Sequence, residues 1–323
     1  MRREFDRMAA VMRNGARSSR LSLVAVGAVV LTVLAACSGT PPSPQPQADF
    51  ARAVDIGGGR SIFLECRGQG TPTVVLESGY HDSSDLWSLA EVTPPVASEA
   101  VLPGIARFTR VCAYDRPGTL RYAESPGSVT TRSTPVPMPR TAADIVSDLR
   151  TLLRAADVPG PYVFVTHSLG GLFSRLYQRA YPDDVEAMVL VDTFAPEVPR
   201  LFGDRWPAYR ELLSATGTQN DPTAERIDLD ASIAQLDAAP PMRPIPLAVL
   251  SKTEPFGGLP PTLPTGLTGA DVERLWPQVQ TSVVNLQPQT PQTLATGSDH
   301  YIQVRQPDLV IATTRLAIGR AAA

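Results

Sequence analysis

Short apolar runs alternate along the chain with segments in which apolar residues recur at helical spacing. The short runs are typical of strands, and the other segments are typical of amphipathic helices. The run at residues 73–76 is apolar without alternation, which favours a strand buried in a parallel sheet. Because strands alternate with helices, we expect an α/β fold with a mostly parallel eight-stranded sheet and helices on both faces. The predicted strands lie at residues 49–56, 61–66, 73–76, 108–114, 162–165, 187–192, 245–250 and 293–295.

The clearest helical pattern follows Thr141, where Ile145, Leu149 and Leu152 recur on one face. Thr141 with an acidic residue three positions later is a signal for a helix start. Residues 193–243 contain no strand pattern, and we predict that they form a small helical cap over the carboxyl-terminal edge of the sheet. Further helices are predicted near residues 172–180, 208–215, 224–236, 271–286 and 307–318.

The first 36 residues have the pattern of an export signal, which is not part of the fold. Arg13, Arg17 and Arg20 precede an uncharged run over residues 21–36. This run is short for a membrane span, which needs about 20 apolar residues. We therefore interpret residues 1–36 as a signal peptide.

The uncharged run ends in the sequence LAAC at residues 34–37, which resembles a bacterial lipobox with Cys37 as the lipidated residue. The alternative is an ordinary cleaved signal followed by an incidental cysteine. We predict an exported, cell-envelope lipoprotein of a bacterium that contacts the membrane through lipid on Cys37. A proline-rich tether at residues 37–48 joins this anchor to a domain at residues 49–323.

Composition and motif content are compatible with one large domain and argue against the binding of nucleic acid, a metal or a cofactor. Apolar residues make up 43% of the 323, which is enough for a large core. The formal net charge is −3 and no basic block occurs in the body of the chain, so we expect no nucleic-acid binding. Cys37, Cys66, Cys112 and three scattered histidines lack the spacing of a zinc site, and no cofactor motif is present. We therefore expect neither a metal nor a cofactor.

A serine lies in a tight turn between a predicted strand and a predicted helix, in the sequence THSLGG at residues 166–171. Such a nucleophile elbow, usually spelled G-x-S-x-G, needs small residues because the helix passes close to the strand. Ser168 is therefore the candidate nucleophile, although Thr166 replaces the usual glycine. The alternative is that Ser168 only caps the following helix.

A serine nucleophile needs a base, nearly always histidine, which a carboxylate orients. His167 adjoins the serine, and we expect its side chain to point away from it. His81 follows the third predicted strand. His300 follows the last strand, and it alone fits the order serine, acid, histidine that accompanies such an elbow. His300 is therefore the candidate base.

Two carboxylates are candidates for the acid. Asp192 ends the strand that follows the elbow helix, and Glu254 follows the next strand. Asp299 adjoins His300 and is expected to face elsewhere. We favour Asp192. Glu254 stays the alternative, because catalytic triads are recognised by geometry and not by sequence position.

Stabilising a developing oxyanion requires two backbone N–H groups that point at one spot. The residue after the nucleophile, Leu169, is expected to supply one of them. The loop after the third strand supplies the other, and Tyr80 after Gly79 is the candidate there.

With these residues in order, the chain resembles the α/β-hydrolase superfamily, in particular its bacterial serine esterase-like members, over about residues 52–320. The motifs are VVLESGY (74–80), RVCAYDRPG (110–118), VTHSLGG (165–171), VLVDTFAPE (189–197) and GSDHYIQVRQPDLV (297–310). The chain departs from the family at Thr166, in lacking a His-Gly pair at the oxyanion loop, and in lacking an Asp after the strand that ends near Leu250. Members with an aspartate nucleophile are excluded, because Ser168 holds that position.

The resemblance implies a serine hydrolase that cleaves small-molecule carboxylic esters through an acyl-enzyme. The alternatives are a catalytically silent binding protein of the cell envelope and an acyltransferase. In this fold the second strand lies beside the fourth, which brings Cys66 close to Cys112. Export to an oxidising compartment then permits a disulfide between them.

Overall fold

The computed structural model describes residues 48–91, 98–123, 125–215, 221–257 and 266–323. The predicted signal at residues 1–36, Cys37 and the tether up to residue 47 lie outside the described residues. Within the described residues, no helix is both long enough and apolar enough to cross a membrane.

The described strands form one eight-stranded sheet. They are β1 (Phe50–Gly57), β2 (Arg60–Arg67), β3 (Thr73–Glu77), β4 (Val111–Tyr114), β5 (Tyr162–His167), β6 (Val185–Val191), β7 (Leu247–Lys252) and β8 (Gln292–Ala295). Their order is β1-β2-β4-β3-β5-β6-β7-β8. The β1–β2 and β2–β4 pairs are antiparallel, and all the others are parallel. The predicted fold class is confirmed, and the carboxyl ends of β3, β5, β6 and β7 meet at one edge.

Helices cover both faces of the sheet. In the described ranges they are α1 (Val101–Ala106), α2 (Ala142–Ala155), α3 (Gly170–Ala180), α4 (Val198–Phe202), α5 (Trp206–Ala215), α6 (Leu229–Ala238), α7 (Gly269–Val284), α8 (Ile302–Arg305) and α9 (Pro307–Ala321). Alternate residues of β5 belong to different cores: Phe164 packs in the core that contains α2 and α3, and Val163 and Val165 pack in the core that contains α1 and α9. Burial on both faces explains why β5 has a continuous apolar sequence.

The predicted helix start at Thr141 is confirmed. The Thr141 side chain accepts a hydrogen bond from the Asp144 amide, and the Asp144 carboxylate accepts one from the Thr141 amide. This reciprocal pair satisfies amides that the first turn leaves without helical partners.

The predicted helix at residues 224–236 is wrong at its start, because α6 begins at Leu229. The Asp228 side chain caps α6 by accepting a hydrogen bond of 2.9 Å from the Ala231 amide. The residues before it pair with other segments instead, as the Glu225 amide does with the Gly118 carbonyl at 2.8 Å. Residues 221–228 are therefore free to contact loops at the edge of the sheet.

A disulfide joins Cys66 to Cys112. The two residues are direct partners in the register of β2 and β4, as the resemblance implies. Both cysteines are fully buried, and the crosslink joins the antiparallel strand β2 to β4, the first strand of the parallel part of the sheet.

We predict that replacing both cysteines, Cys66→Ala with Cys112→Ala, lowers the free energy of unfolding by about 2–5 kcal/mol, because the crosslink restricts the unfolded chain. Urea unfolding followed by circular dichroism measures this difference. Cys37→Ala is the matched control and should leave the unfolding curve unchanged. An unaltered urea midpoint in the double variant would contradict the prediction.

Candidate active site

Ser168 lies in a left-handed turn between β5 and α3, with a φ of +51°. Its amide donates to the Val191 carbonyl at 3.2 Å, and its carbonyl accepts from the Gly171 amide at 3.1 Å and the Phe194 amide at 2.9 Å. A non-glycine residue keeps such a backbone only where its surroundings enforce it. The N-cap of α3 is Leu169 and no side chain caps this helix, so the alternative that Ser168 serves as a helix cap is wrong.

Two glycines allow the loop after β3 to reach the turn at Ser168. A Cβ on Gly170 would lie 2.7 Å from the Ser78 carbonyl oxygen, so α3 can begin there only without a side chain. A Cβ on Gly79 would lie 2.8 Å from His167 Nδ1 and 3.1 Å from Ser168 Cβ. Gly79 therefore packs against the candidate nucleophile, and Tyr80 is the next residue in the chain.

His300 and Asp192 form a close pair, with 2.6 Å between Nδ1 and Oδ2. Asp192 is fully buried and also left-handed, with a φ of +46°. The Trp276 indole donates to the same carboxylate oxygen at 2.9 Å, and the Lys252 amide donates to the other at 3.2 Å. These donors satisfy a carboxylate that burial would otherwise destabilise. The Glu254 side chain is exposed and contacts the Thr253 hydroxyl, so Asp192 is the carboxylate that lies at His300.

Burial of the His300 imidazole lowers its pKa below the ordinary range. The neighbouring His167 lowers this pKa further, and Asp192 raises it. Because the lowering wins, the imidazole is neutral at pH 7, which is the form that accepts a proton.

The amides of Tyr80 and Leu169 are available as donors. In the part of the chain that the structure describes, neither amide donates a hydrogen bond to another protein group. Both residues line the cavity that Ser168 faces. Leu169 also immediately precedes α3, whose N-terminal end favours negative charge.

The cavity at Ser168 has a volume of about 170 Å³. Ser168 and His300 line it together, and Ser168 is half-buried rather than enclosed. Its walls come from the turn at Ser168, the loops after β3, β6 and β7, the helices α5 and α7, and the segment after β8. The other lining residues are Tyr80, His81, Asp82, His167, Leu169, Phe194, Tyr209, Leu212, Leu213, Phe256, Gly257, Val272, Trp276 and Tyr301.

Sequence reasoning missed a polar cluster beside His300. The His167 ring lies 4.5 Å from the His300 ring, and its Nε2 lies 3.0 Å from the His300 carbonyl oxygen. The Asp82 carboxylate lies 3.6 Å from His167 Nδ1 and accepts a hydrogen bond of 2.6 Å from the Tyr122 hydroxyl. The expectation that His167 points away from Ser168 gave it no place in the site, but its ring lines the same cavity and packs on the candidate base. The only sequence signal for Asp82 was its place at the end of the loop after β3.

Within the described ranges, no group of three or more His, Cys, Asp or Glu side chains has the geometry to hold a metal ion.

The profile of the alpha/beta hydrolase family matches residues 74–314, which is most of the chain. The chain belongs to the alpha/beta hydrolase family. The chain is 25% identical over 256 residues to the uncharacterised protein YqjL of Bacillus subtilis, and the match covers 76% of this chain and 82% of YqjL. It is 32% identical over 149 residues to an uncharacterised protein of Schizosaccharomyces pombe, and this match covers 41% of the chain and only 26% of the yeast protein.

The chain also shares its fold with solved structures. An enol-lactonase from Burkholderia xenovorans superposes with a TM-score of 0.51 and 17% identity, covering 82% of this chain and 99% of the lactonase. A hydrolase from Pseudomonas aeruginosa superposes with a TM-score of 0.53 and 16% identity, covering 83% and 98%. At these identities the likeness establishes the fold alone.

We predict that the His300 imidazole titrates below 6.5, because burial lowers its pKa from that ordinary value. Titration of ¹⁵N-labelled protein followed by NMR of the imidazole nitrogens measures this. Asp192→Asn should lower the pKa further, since Asp192 favours the charged form, whereas His167→Gln should raise it. A pKa above 7 in the unaltered protein would contradict the prediction.

Proposed function

We propose that the protein is a serine hydrolase that cleaves carboxylic esters through an acyl-enzyme intermediate. The observation that carries this proposal is the 2.6 Å contact between His300 and Asp192 on the cavity that the strained turn at Ser168 also lines. Nucleophilic catalysis by serine needs this combination of a presented hydroxyl and a base oriented by an acid.

In the first half-reaction, Ser168 Oγ attacks the ester carbonyl carbon, and its proton passes to His300 Nε2. Nε2 is the acceptor because Asp192 engages Nδ1. The carbonyl oxygen becomes an oxyanion that accepts hydrogen bonds from the Leu169 and Tyr80 amides. The tetrahedral intermediate collapses when His300 returns the proton to the alkoxy oxygen, and the alcohol leaves.

In the second half-reaction, a water molecule attacks the acyl-enzyme. His300 again accepts a proton, now from the water, and the same two amides stabilise the new oxyanion. Ser168 Oγ then leaves with the proton from His300, and the carboxylic acid is released. The Asp192 carboxylate holds the imidazole in place and stabilises the imidazolium that forms twice in each cycle.

Ser168→Ala should lower kcat for a 4-nitrophenyl ester by about 10⁴-fold or more, because the variant lacks the hydroxyl that forms the acyl-enzyme. Steady-state assays measure kcat, and a fluorophosphonate probe measures labelling at Ser168. Ser147→Ala makes the same chemical change at an exposed position of α2 and is the matched control, which should retain turnover and labelling. Full ester turnover by Ser168→Ala would refute the proposal, and an unlabelled native protein would favour a silent binding protein.

A matched pair of variants distinguishes the two candidate acids, Asp192 and Glu254. Asp192→Asn should lower kcat by about 10⁴-fold, because the imidazolium loses its buried carboxylate and the imidazole its orientation. Glu254→Gln, an exposed site, should change kcat by less than about twofold. The same ester assay reads both variants. Loss of activity in Glu254→Gln with activity retained in Asp192→Asn would assign the acid to Glu254.

We also propose that the protein is exported and anchored to the cell envelope of a bacterium by lipid on Cys37. The support is the lipobox-like sequence at residues 34–37 and the proline-rich tether that follows. The anchored domain would act on small esters outside the cytoplasm.

Metabolic labelling with an alkyne-tagged fatty acid tests this anchor. The full chain expressed in a bacterium should incorporate the label and sediment with membranes, and Cys37→Ala should lose both properties. Ser38→Ala is the matched control and should retain the label. A Cys37→Ala protein that still carries lipid would contradict the proposal.

A further inference from the structure

The charged side chains in the lining of the cavity at Ser168 determine which substrate charges it can accommodate. No lysine or arginine occurs among the described residues that line it. Burial lowers the pKa of His81, so this imidazole is uncharged at neutral pH. The single carboxylate of the lining, Asp82, is engaged by the Tyr122 hydroxyl.

The walls of the cavity are largely aromatic and aliphatic. The Phe256 ring lies 5.0 Å from Trp276 and 4.7 Å from His300, so it forms a wall beside the candidate base. Tyr209 and Val272 add buried apolar surface. A volume of about 170 Å³ is below the 300–1,000 Å³ that is usual for drug-sized ligands.

We infer that the substrate is a small, uncharged ester with an apolar acyl group. This inference rests on the proposed function of the same site. A carboxylate on the acyl group would lose its hydration in a cavity whose described lining has no lysine or arginine, and Asp82 would lie near it. An apolar acyl group would instead replace water against Phe256, Tyr209 and Val272.

Two esters with equal carbon numbers test the inference. 4-Nitrophenyl hexanoate and 4-nitrophenyl hydrogen adipate have six-carbon acyl groups that differ by a terminal carboxylate. We expect kcat/KM to be at least about a hundredfold lower for the adipate, because its charge has no partner in the cavity. We also expect 4-nitrophenyl dodecanoate to be a poorer substrate than the hexanoate.

A cation introduced into the lining should reverse the discrimination. Leu212 is half-buried on the cavity wall. Leu212→Lys should reduce the hexanoate-to-adipate ratio of kcat/KM at least tenfold, and Leu212→Met is the uncharged control that should keep the ratio. Equal turnover of hexanoate and adipate by the native protein would overturn the inference while the esterase proposal stands. Turnover of no ester, with Ser168 unlabelled, would instead overturn the proposed function.

A separate set of contacts involves Arg116, which is 2% exposed. Its guanidinium donates to Glu77 Oε1 at 2.8 Å and to the Ser78 and Gly79 carbonyls at 3.0 and 2.5 Å. It therefore holds the backbone that leads into the Tyr80 amide. On its other side, Arg116 Nε lies 2.6 Å from Glu225 Oε1, and Nη2 lies 3.1 Å from Glu225 Oε2.

Glu225 belongs to the segment before α6 and also contacts the loop after β3 directly. Its Oε2 accepts a hydrogen bond of 2.8 Å from the His81 amide. The Ile227 amide donates to the Tyr80 hydroxyl at 3.0 Å, and His81 Nε2 lies 3.2 Å from the Leu213 carbonyl oxygen. Residues of the predicted cap thus hold in place both Tyr80, whose amide is the candidate oxyanion donor, and the neighbouring His81.

We propose that Glu225 is a positioning residue, which aims the Tyr80 amide through Arg116 and the His81 amide. This second inference also rests on the proposed function. Both carboxylate oxygens of Glu225 accept hydrogen bonds, so an amide in its place would set an NH₂ group against a donor. The expected result is a displaced Tyr80 amide and weaker stabilisation of the oxyanion, with the cavity walls retained.

Glu225→Gln should lower kcat per active site by about 10–100-fold and should leave KM within about twofold. This fall is smaller than the about 10²–10³-fold fall in kcat that follows complete removal of an oxyanion donor, because the Tyr80 amide is displaced and not lost. Titration with a fluorophosphonate to its endpoint counts the folded active sites, so unfolding alone cannot produce this result. A trifluoromethyl ketone, whose adduct carries an oxyanion, should bind more weakly by the same factor as kcat/KM falls. Glu211→Gln makes the same chemical change at an exposed site of α5 and should leave kcat unaltered.

Glu225→Asp keeps both oxygens and shortens the side chain, so it should show a smaller fall in kcat than Glu225→Gln. If Glu225→Gln fails to fold, the fall in kcat per titrated site of Glu225→Asp decides. An unaltered kcat per titrated site, or a rise in KM with constant kcat, would overturn the positioning role.

Discussion

The left-handed backbone at Ser168 is the constraint on which the site depends. Backbone strain of this kind costs on the order of 1–3 kcal/mol and persists only where the surrounding structure fixes it. Here the Val191 carbonyl at the end of β6 accepts a hydrogen bond from the Ser168 amide. Gly170, which has no side chain, allows α3 to begin in contact with the Ser78 carbonyl. Close packing on both faces of β5 keeps these elements in register, so the hydroxyl is presented before any ligand binds.

A second constraint is the burial of Asp192. A carboxylate with no exposure is stable only if its oxygens are paired, and its three donors belong to different parts of the chain. Trp276 comes from α7, the Lys252 amide from β7, and His300 from the segment after β8. The parallel sheet brings these segments to one edge, so the orientation of His300 follows from strand order and not from local sequence.

The sequence was sufficient to predict the fold class and to select Ser168 and His300 as candidates, because both follow from a strand-to-helix turn and from the scarcity of histidine. It left the acid open, since Asp192 and Glu254 both follow strands. Asp192 differs from Glu254 in its left-handed backbone and in the hydrogen bond that it accepts from the Trp276 indole, 84 residues away in the chain. No local sequence pattern encodes either feature. The contact of Glu225 with the loop after β3 was hidden for the same reason, and its segment was misassigned to a helix.

The most direct measurement is mass spectrometry of the protein quenched during turnover of 4-nitrophenyl hexanoate, combined with the early release of 4-nitrophenol. The proposed mechanism predicts a hexanoyl group on the peptide that contains Ser168, with release of at most one 4-nitrophenol per site before steady turnover. The adduct should be absent from Ser168→Ala. Turnover without any adduct in the native protein under conditions that trap acyl-enzymes, or an adduct on a different residue, would contradict the mechanism.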